Sequence, residues 1–281
     1  MELFFTTNIE GDIAWLDEQE STHCTRVLRH AAGDEINFTD GRGTLFTGII
    51  VDNPGRQPDN SGMLAGNSGN PARNPVRIPE KSGKRVALQI IDRNTNYMKR
   101  GYYLHMAVAP PKNPDRFEWF LEKAVELGID EITPLEGKHS QKRSFNMARG
   151  ERLILAAMKQ SLKTTLPILN PITKASALIE KYSACDNVHK LIGHCRDGEK
   201  SPITTLLGEC VKQHNSTVDE PFRVLVLIGP EGDFSVSEIA LAQKCGFKPF
   251  SLGESRLRTE TAALTAVTAV YLTNFTSKLC R

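Results

Sequence analysis

The first half of the chain is patterned as short apolar runs between turn residues. Apolar runs at residues 3–5, 36–39 and 44–50 predict strands, and the last two flank an Asp-Gly-Arg-Gly segment at 40–43 that is typical of a hairpin turn. Residues 18–30 predict a helix, and the apolar run at 86–91 predicts a further strand of the same small unit. This region is therefore expected to be a β-rich domain.

After residue 100, apolar runs of strand length alternate with helical patterns. Predicted strands cover residues 102–109, 129–135, 188–193, 222–229 and 249–252. Predicted helices cover 114–127, 146–163, 173–182, 204–214 and 258–277, with a further helix after Ser235. This alternation predicts a mainly parallel α/β sheet with helices on both faces. The domain boundary is expected near Lys99, which gives domains of residues 1–99 and 100–281.

Residues 52–83 differ from both regions. They are rich in Pro, Gly and Asn and hold almost no large apolar residue. Such a segment cannot bury enough surface to offset the entropy lost on ordering. We therefore expect a flexible insertion in a loop of the first domain.

Composition narrows the class of protein. The chain has 281 residues, 40% hydrophobic and 24% charged, which is typical of a globular protein. No apolar run approaches the roughly 20 residues that span a bilayer, and no secretory signal is visible. The six cysteines are scattered without a C-x-x-C pair, which argues against structural zinc and a disulfide framework. We expect a cytoplasmic protein with no metal and no membrane association.

Positive charge is segregated although the net charge is only +2. Residues 138–163 contain seven Lys or Arg against one acid, whereas the first twenty residues contain six acids and no Lys or Arg. Clustered positive charge is expected of a protein that contacts a phosphate backbone. A solvated helix face would give the same pattern, so the clusters leave both interpretations open.

Two strand-to-helix loops carry the candidate chemistry. The chain has no G-x-G-x-x-G, no P-loop, no G-x-S-x-G and no H-E-x-x-H, which disfavours the nucleotide-binding and hydrolytic sites that use those motifs. Residues 229–234 follow a predicted strand and precede a capping box formed by Ser235 and Glu238. Residues 252–262 again link a strand to a helix. The carboxyl ends of parallel strands are where open α/β sheets bind ligands, although ordinary βα turns remain an alternative.

These two loops resemble those of a known family, the 16S rRNA (uracil-N3)-methyltransferases of the SPOUT superfamily. The motif residues are Ile228-Gly229-Pro230-Glu231-Gly232-Asp233-Phe234-Ser235, Leu252-Gly253 and Leu257-Arg258-Thr259-Glu260-Thr261-Ala262. The segments His23-Cys24-x-Arg26-Val27-Leu28-Arg29, Ala109-Pro110-Pro111-Lys112 and Lys159-Gln160-Ser161 match the family in order and spacing. The resemblance spans the whole chain except the insertion. The chain departs from the family at Lys159, Lys163 and Glu254-Ser255, and at Asp233, where glycine is commoner.

The resemblance implies an N-terminal PUA-like β-barrel that binds RNA and a C-terminal SPOUT α/β domain with a deep trefoil knot. It implies a homodimer that methylates uridine N3 in the 16S rRNA of the small ribosomal subunit, with S-adenosyl-L-methionine (SAM) as methyl donor. The residues expected to bind SAM are His194, Ile228, Gly229, Pro230, Gly232, Leu252, Gly253, Leu257, Thr259, Thr261 and Ala262. Those expected to bind RNA are His23, Arg26, Arg29, Lys112, Lys142, Arg143, Gln160 and Lys163.

The chemistry of N3 methylation suggests roles for three further residues. A proton must leave a weakly acidic imide nitrogen, and the resulting negative charge spreads over two carbonyl oxygens. Arg258 is expected to stabilise that charge or to anchor a neighbouring phosphate. Glu231 and Glu260 are candidate bases, with a structural role as the alternative for each. Two other functions remain open at this point: a SPOUT enzyme that modifies another RNA site, and an RNA-binding homologue without catalysis.

Overall fold

The computed structural model describes residues 2–52, 85–95, 97–214 and 221–279. The chain divides into two compact units, Met1–Thr95 and Asn96–Arg281. The predicted insertion at residues 52–83 lies outside the described residues except for its first position. Each unit is described by itself below.

The first unit is a six-stranded sheet in the order β1-β4-β5-β6-β3-β2. Its strands are β1 (Leu3–Phe5), β2 (Ile9–Glu10), β3 (Ile13–Trp15), β4 (Glu35–Thr39), β5 (Leu45–Val51) and β6 (Ala87–Asn94). Buried and partly exposed residues alternate strictly along β5, so one face of the sheet covers a core. The rings of Phe38 and Phe46 stack there with centroids 5.0 Å apart.

Strands β5 and β6 pair although more than thirty residues separate them in the sequence. Their register sets Val51 opposite Ala87 and Ile50 opposite Leu88. The two ends of the intervening segment are therefore hydrogen-bonded neighbours. The prediction that the chain returns to the same small domain is confirmed.

The predicted helix over residues 18–30 is wrong in its second half. An α-helix, α1, covers only Glu18–Thr22 and continues as a π-helical turn over His23–Val27. The Thr25 hydroxyl donates a hydrogen bond of 2.8 Å to the Ser21 carbonyl, and such bonds compete with regular helical hydrogen bonding. Arg29 then takes a left-handed conformation, which ends the segment.

The second unit contains an eight-stranded parallel sheet. Its main path is β10-β8-β7-β13-β11-β14-β12, and β9 pairs with β8. The strands are β7 (Tyr102–Val108), β8 (Glu131–Glu136), β9 (Ile168–Leu169), β10 (Thr173–Lys174), β11 (His189–Gly193), β12 (Ser201–Pro202), β13 (Phe222–Ile228) and β14 (Lys248–Ser251). Strands β7 and β13 are almost continuously buried, as expected for a parallel sheet covered on both faces.

Helices connect these strands. They are α2 (Pro114–Leu127), α3 (Met147–Gln160), α4 (Ala175–Lys181), α5 (Ile203–His214), α6 (Val236–Lys244) and α7 (Thr259–Leu279). Helix α2 begins after an Asn113 cap and ends at Gly128 with φ 115°, as the sequence predicts. Helix α3 ends three residues before its predicted end, because the Ser161 hydroxyl donates to the Ala157 carbonyl and Leu162 is left-handed.

Candidate functional site

A cleft of about 880 Å³ opens at the carboxyl ends of three neighbouring strands, β13, β11 and β14. Three loops form its walls. They are residues 194–200 after β11, 229–233 after β13 and 252–258 after β14. The position obeys the rule that open parallel sheets bind ligands at strand carboxyl ends. The volume lies in the range of small-molecule sites.

Most residues predicted to hold the cofactor line this cleft. They are His194, Ile228, Gly229, Pro230, Leu252, Gly253, Leu257, Thr259 and Ala262. Two of the loops are joined directly, because the buried Thr259 hydroxyl donates a hydrogen bond of 3.3 Å to the Gly229 carbonyl. Gly253 has φ 114°, a conformation that L side chains rarely adopt, and a Cβ atom there would meet no atom within 4 Å. The backbone of this loop is therefore open to a ligand.

Gly232 and Thr261 are not among the residues that line the cleft, so their assignment to cofactor binding stays a prediction. A Cβ atom on Gly232 would lie 2.9 Å from the His139 Cβ, which means that this residue faces the loop after β8. Thr261 lies on the first turn of α7, between the two cleft-lining residues Thr259 and Ala262. Thr259 and Ala262, three residues apart, share one face of the helix, whereas Thr261 lies on a different face.

The three candidate catalytic residues have different surroundings. Arg258 and Glu231 both line the cleft. The Glu231 Oε1 atom accepts a hydrogen bond of 2.9 Å from the Lys112 backbone N–H. Glu260 does not line the cleft: its side chain is buried, with Oε1 3.7 Å from the Nε of Arg116 on α2. The direction of Glu260 follows from its helix phase and argues against a role as base.

Of the cleft wall formed by residues 194–200, the sequence indicated only the beginning, at His194 and Cys195. This loop adds Arg196 and Lys200 to the lining. The Arg196 Nε donates a hydrogen bond of 3.0 Å to the Phe234 carbonyl, so the loop is tied to the turn after β13. The strand before it was predicted, and the rule for strand carboxyl ends could have identified the loop that follows.

Charged groups of both signs surround the cleft. Cations are contributed by Arg196, Lys200, Arg256 and Arg258, and carboxylates by Glu231, Asp233 and Glu254. Burial, followed by the charge of Lys200, lowers the pKa of His194 below its ordinary value. Both His194 ring nitrogens are buried without a hydrogen-bond partner in the described part of the chain. Burial therefore disfavours the charged form of the His194 imidazole, which lies in the cleft wall.

The RNA-binding candidates of the first unit lie at the π-helical turn and just after it. Arg26 and Arg29 are exposed. The His23 Nε2 atom lies 3.4 Å from a carboxylate oxygen of Glu2. These side chains are accessible to a partner, with His23 already beside an acid.

The candidates of the second unit are spread over several elements. Lys112, Arg143 and Gln160 are exposed, and the Arg143 Nε lies 3.6 Å from a Glu136 oxygen. Lys142 is partly exposed. Lys163 is partly buried, and its pKa is lowered by burial and then by the charge of Arg100. Lys163 is therefore the least accessible cation of this set.

The described residues offer neither a metal site nor a membrane-spanning helix. No group of three or more His, Cys, Asp or Glu side chains there could hold a metal ion. No helix in the same part of the chain is long and apolar enough to cross a membrane.

Residues 99–271 match the sequence profile of a family described as an RNA methyltransferase domain. The chain belongs to this family. Residues 16–56 match a second family, described as the RNA methyltransferase PUA domain. A relative named ribosomal RNA small subunit methyltransferase E, from Mesomycoplasma hyopneumoniae, is 31% identical over 69% of this chain and 78% of its own length.

Two solved structures have the same fold as this chain over nearly its whole length. A probable rRNA-methyltransferase from Porphyromonas gingivalis is 31% identical, with a TM-score of 0.75 over 99% of this chain and 100% of that one. A ribosomal RNA small subunit methyltransferase E from Neisseria gonorrhoeae, bound to S-adenosyl methionine, is 22% identical with a TM-score of 0.71 over 97% of both chains. The expected fold class, a PUA-like β domain followed by a SPOUT-type α/β methyltransferase domain, is confirmed.

Proposed function

We propose that this RNA methyltransferase transfers a methyl group from SAM to N3 of a uridine in the 16S rRNA of the small ribosomal subunit. The cleft at the ends of β13, β11 and β14 carries the proposal, because both loops of the methyltransferase motif form its walls. The relatives named small subunit methyltransferase E support the substrate class.

The residues of the cleft fit SAM. Its volume of about 880 Å³ suits a ligand of this size. The open backbone at Gly253 allows close approach of a ligand, and the His194 ring lies in the wall of the same cleft. The Glu231 carboxylate has the sign needed near a sulfonium or ammonium group. When bound, SAM supplies a methyl group activated by a positively charged sulfur.

Arg258 is the residue proposed to assist the reaction. When the N3 proton leaves, negative charge develops on the two carbonyl oxygens of the uracil ring, and a guanidinium that lines the cleft stabilises that charge. Glu231 remains a candidate base, although the Lys112 N–H occupies one of its oxygens. Because N3 lies on the Watson–Crick edge, the uridine must be unpaired or flipped out to reach the site.

RNA contacts are proposed to come from both units. The exposed cations Arg26, Arg29, Lys112 and Arg143, together with the partly exposed Lys142, would neutralise backbone phosphates. The cations that line the cleft, Arg196 and Arg256, would contact nucleotides around the target base. This distribution predicts binding that weakens steeply with salt.

The functional protein is proposed to be a homodimer. Helices α2 and α7 pack against each other, and each presents large exposed apolar side chains: Trp119 on α2, and Tyr271 and Leu272 on α7. Apolar side chains on adjacent helices suit burial against a second copy of the chain. Light scattering coupled to size-exclusion chromatography measures the mass directly, and a monomer at micromolar concentration would contradict the proposal.

Methyl transfer to purified small subunits tests the function. The protein is incubated with labelled SAM and subunits that lack the modification, and the rRNA is digested to nucleosides. Labelled N3-methyluridine is expected, with a primer-extension stop, because N3 methylation blocks Watson–Crick pairing. Label in another nucleoside would indicate a different RNA site. Absence of label, with no SAM binding by calorimetry, would indicate a non-catalytic RNA-binding protein.

A further inference from the structure

Asp233 ends the turn after β13 in an unusual conformation. Its φ is 63°, in the left-handed region that favours glycine. The Asp233 N–H donates a hydrogen bond of 2.9 Å to the Pro230 carbonyl, which closes the turn. Aspartate is one of the few non-glycine residues that adopt this conformation routinely, because its short polar side chain can hydrogen-bond locally.

The Asp233 carboxylate joins two walls of the cleft. Its Oδ1 accepts a hydrogen bond of 2.8 Å from the Phe234 N–H of its own turn. Its Oδ2 accepts one of 3.0 Å from the Cys195 N–H, on the loop after β11. The Arg196 side chain makes a parallel bond to the Phe234 carbonyl. The opposing loops are thus connected by side-chain hydrogen bonds to backbone groups.

A third loop meets the same residue. The Asp233 carbonyl oxygen lies 3.1 Å from the His139 Nδ1, on the loop after β8. Phe234, the next residue, is fully buried and fixes the turn to the core. Because Asp233 and Cys195 both line the cleft, the distance between their loops sets the width of the cleft at this point.

We propose that Asp233 is a positioning residue that fixes the loop after β11 against the turn after β13 and so preorganises the cofactor cleft. The inference rests on the proposed function, since it names SAM as the ligand that benefits. A cleft whose walls are already in place does not use binding energy to order them. The hydrogen bonds of Asp233 should therefore determine cofactor affinity more than the rate of methyl transfer.

The variant Asp233→Gly distinguishes the effect of the carboxylate from the effect of the backbone conformation. Glycine adopts φ 63° without strain, so the turn is kept while both side-chain bonds are lost. Asp233→Asn keeps one acceptor oxygen and at most one of the two bonds. Asp40→Gly is the matched control: the Asp40 Oδ1 accepts a hydrogen bond of 2.9 Å from the Arg42 N–H, in a turn of the first unit.

Calorimetry with SAM is expected to give a dissociation constant about tenfold higher for Asp233→Gly, an intermediate value for Asp233→Asn and an unchanged value for Asp40→Gly. The KM for SAM should rise in parallel, while kcat at saturating SAM stays within a few-fold of wild type. Without cofactor, amide exchange of the peptide containing Cys195 should be faster in Asp233→Gly. A merely structural role would not produce this split between KM and kcat.

The proposal is overturned if Asp233→Gly binds SAM like wild type, or if kcat falls while KM stays constant. Should Asp233→Gly not fold, Asp233→Asn carries the same comparison. Failure of the wild-type protein to bind SAM would instead overturn the proposed function. The exchange of the Cys195 amide still reports whether the two loops are connected.

Discussion

Replacing Arg258 with alanine should separate activity from stability. Arg258 is exposed and directly precedes α7, and its carbonyl accepts a hydrogen bond of 2.8 Å from the Ala262 N–H. Truncating an exposed side chain leaves no cavity. A cation beside a helix N-terminus is opposed by the helix dipole, by roughly 0.3–1 kcal/mol. The free energy of unfolding of Arg258→Ala should therefore be unchanged or higher by up to about 1 kcal/mol.

Turnover should change far more. Removing one donor that stabilises developing charge costs about 10²–10³ in kcat, or about 3–4 kcal/mol in the transition state. We expect at least a roughly 100-fold loss for Arg258→Ala, with SAM affinity within a few-fold of wild type. Arg258→Lys should recover little, because an ammonium lacks the planar fork of the guanidinium. The exposed Lys244, at the end of α6, provides a control variant, Lys244→Ala, that should retain full activity.

The assay is initial-rate methyl transfer to saturating small subunits, with urea unfolding of the same preparations. Near-normal turnover in Arg258→Ala would refute the charge-stabilising role and favour Glu231 as the residue that assists proton loss. A large drop in stability would refute the reasoning about the helix terminus.

Three further predictions follow from other parts of the chain. In Gly229→Val the new Cβ would lie 3.0 Å from the Phe234 ring. The free energy of unfolding should therefore fall by about 1–3 kcal/mol and SAM binding should weaken. An unchanged melting temperature would contradict this prediction. Replacing Lys142 and Arg143 with alanine should reduce the slope of log K against log salt for subunit binding by about 1–2 while SAM affinity stays constant; an unaltered slope would mean that both are merely solvated. Burial lowers the pKa of His105 to about 4, so the unfolded chain binds a proton below about pH 6.5 before the native protein does. The free energy of unfolding should therefore fall by roughly 2 kcal/mol between pH 7 and 4.5. Urea unfolding at several pH values measures this, and a His105→Gln variant whose stability falls as much over that range would refute the prediction.

Much of the fold could be predicted because local patterns and tertiary structure agree. The buried runs of β7 and β13 contain almost no polar residues, and the cap at Gly128 ends α2 where the sequence indicates. The hairpin of β2 and β3 was missed because its strands have only two and three residues. The π-helical turn over His23–Val27 was missed because the hydrophobic pattern there is the same as that of a regular helix.

The site could be predicted in part for the same reason. Close approach to a backbone requires glycine, and that requirement leaves a visible motif: Gly253 is open to the cleft, and Gly229 lies against the Phe234 ring. The loop containing Cys195 and Arg196 has no such requirement, since its hydrogen bonds to the turn after β13 use the side chains of Asp233 and Arg196. The direction of the Glu260 side chain was predictable in principle. Thr259 and Ala262 are three residues apart and share the helix face that lines the cleft, and Glu260 lies off that face.

The pairing of β5 with β6 has a practical consequence. Because Val51 lies opposite Ala87, the thirty-odd residues between them are closed by a hydrogen-bonded pair, and closure entropy rises only with the logarithm of loop length. We expect that a peptide tag inserted between these two strands would leave their register unchanged. A label carried by that tag would test whether the first unit contacts RNA, as proposed.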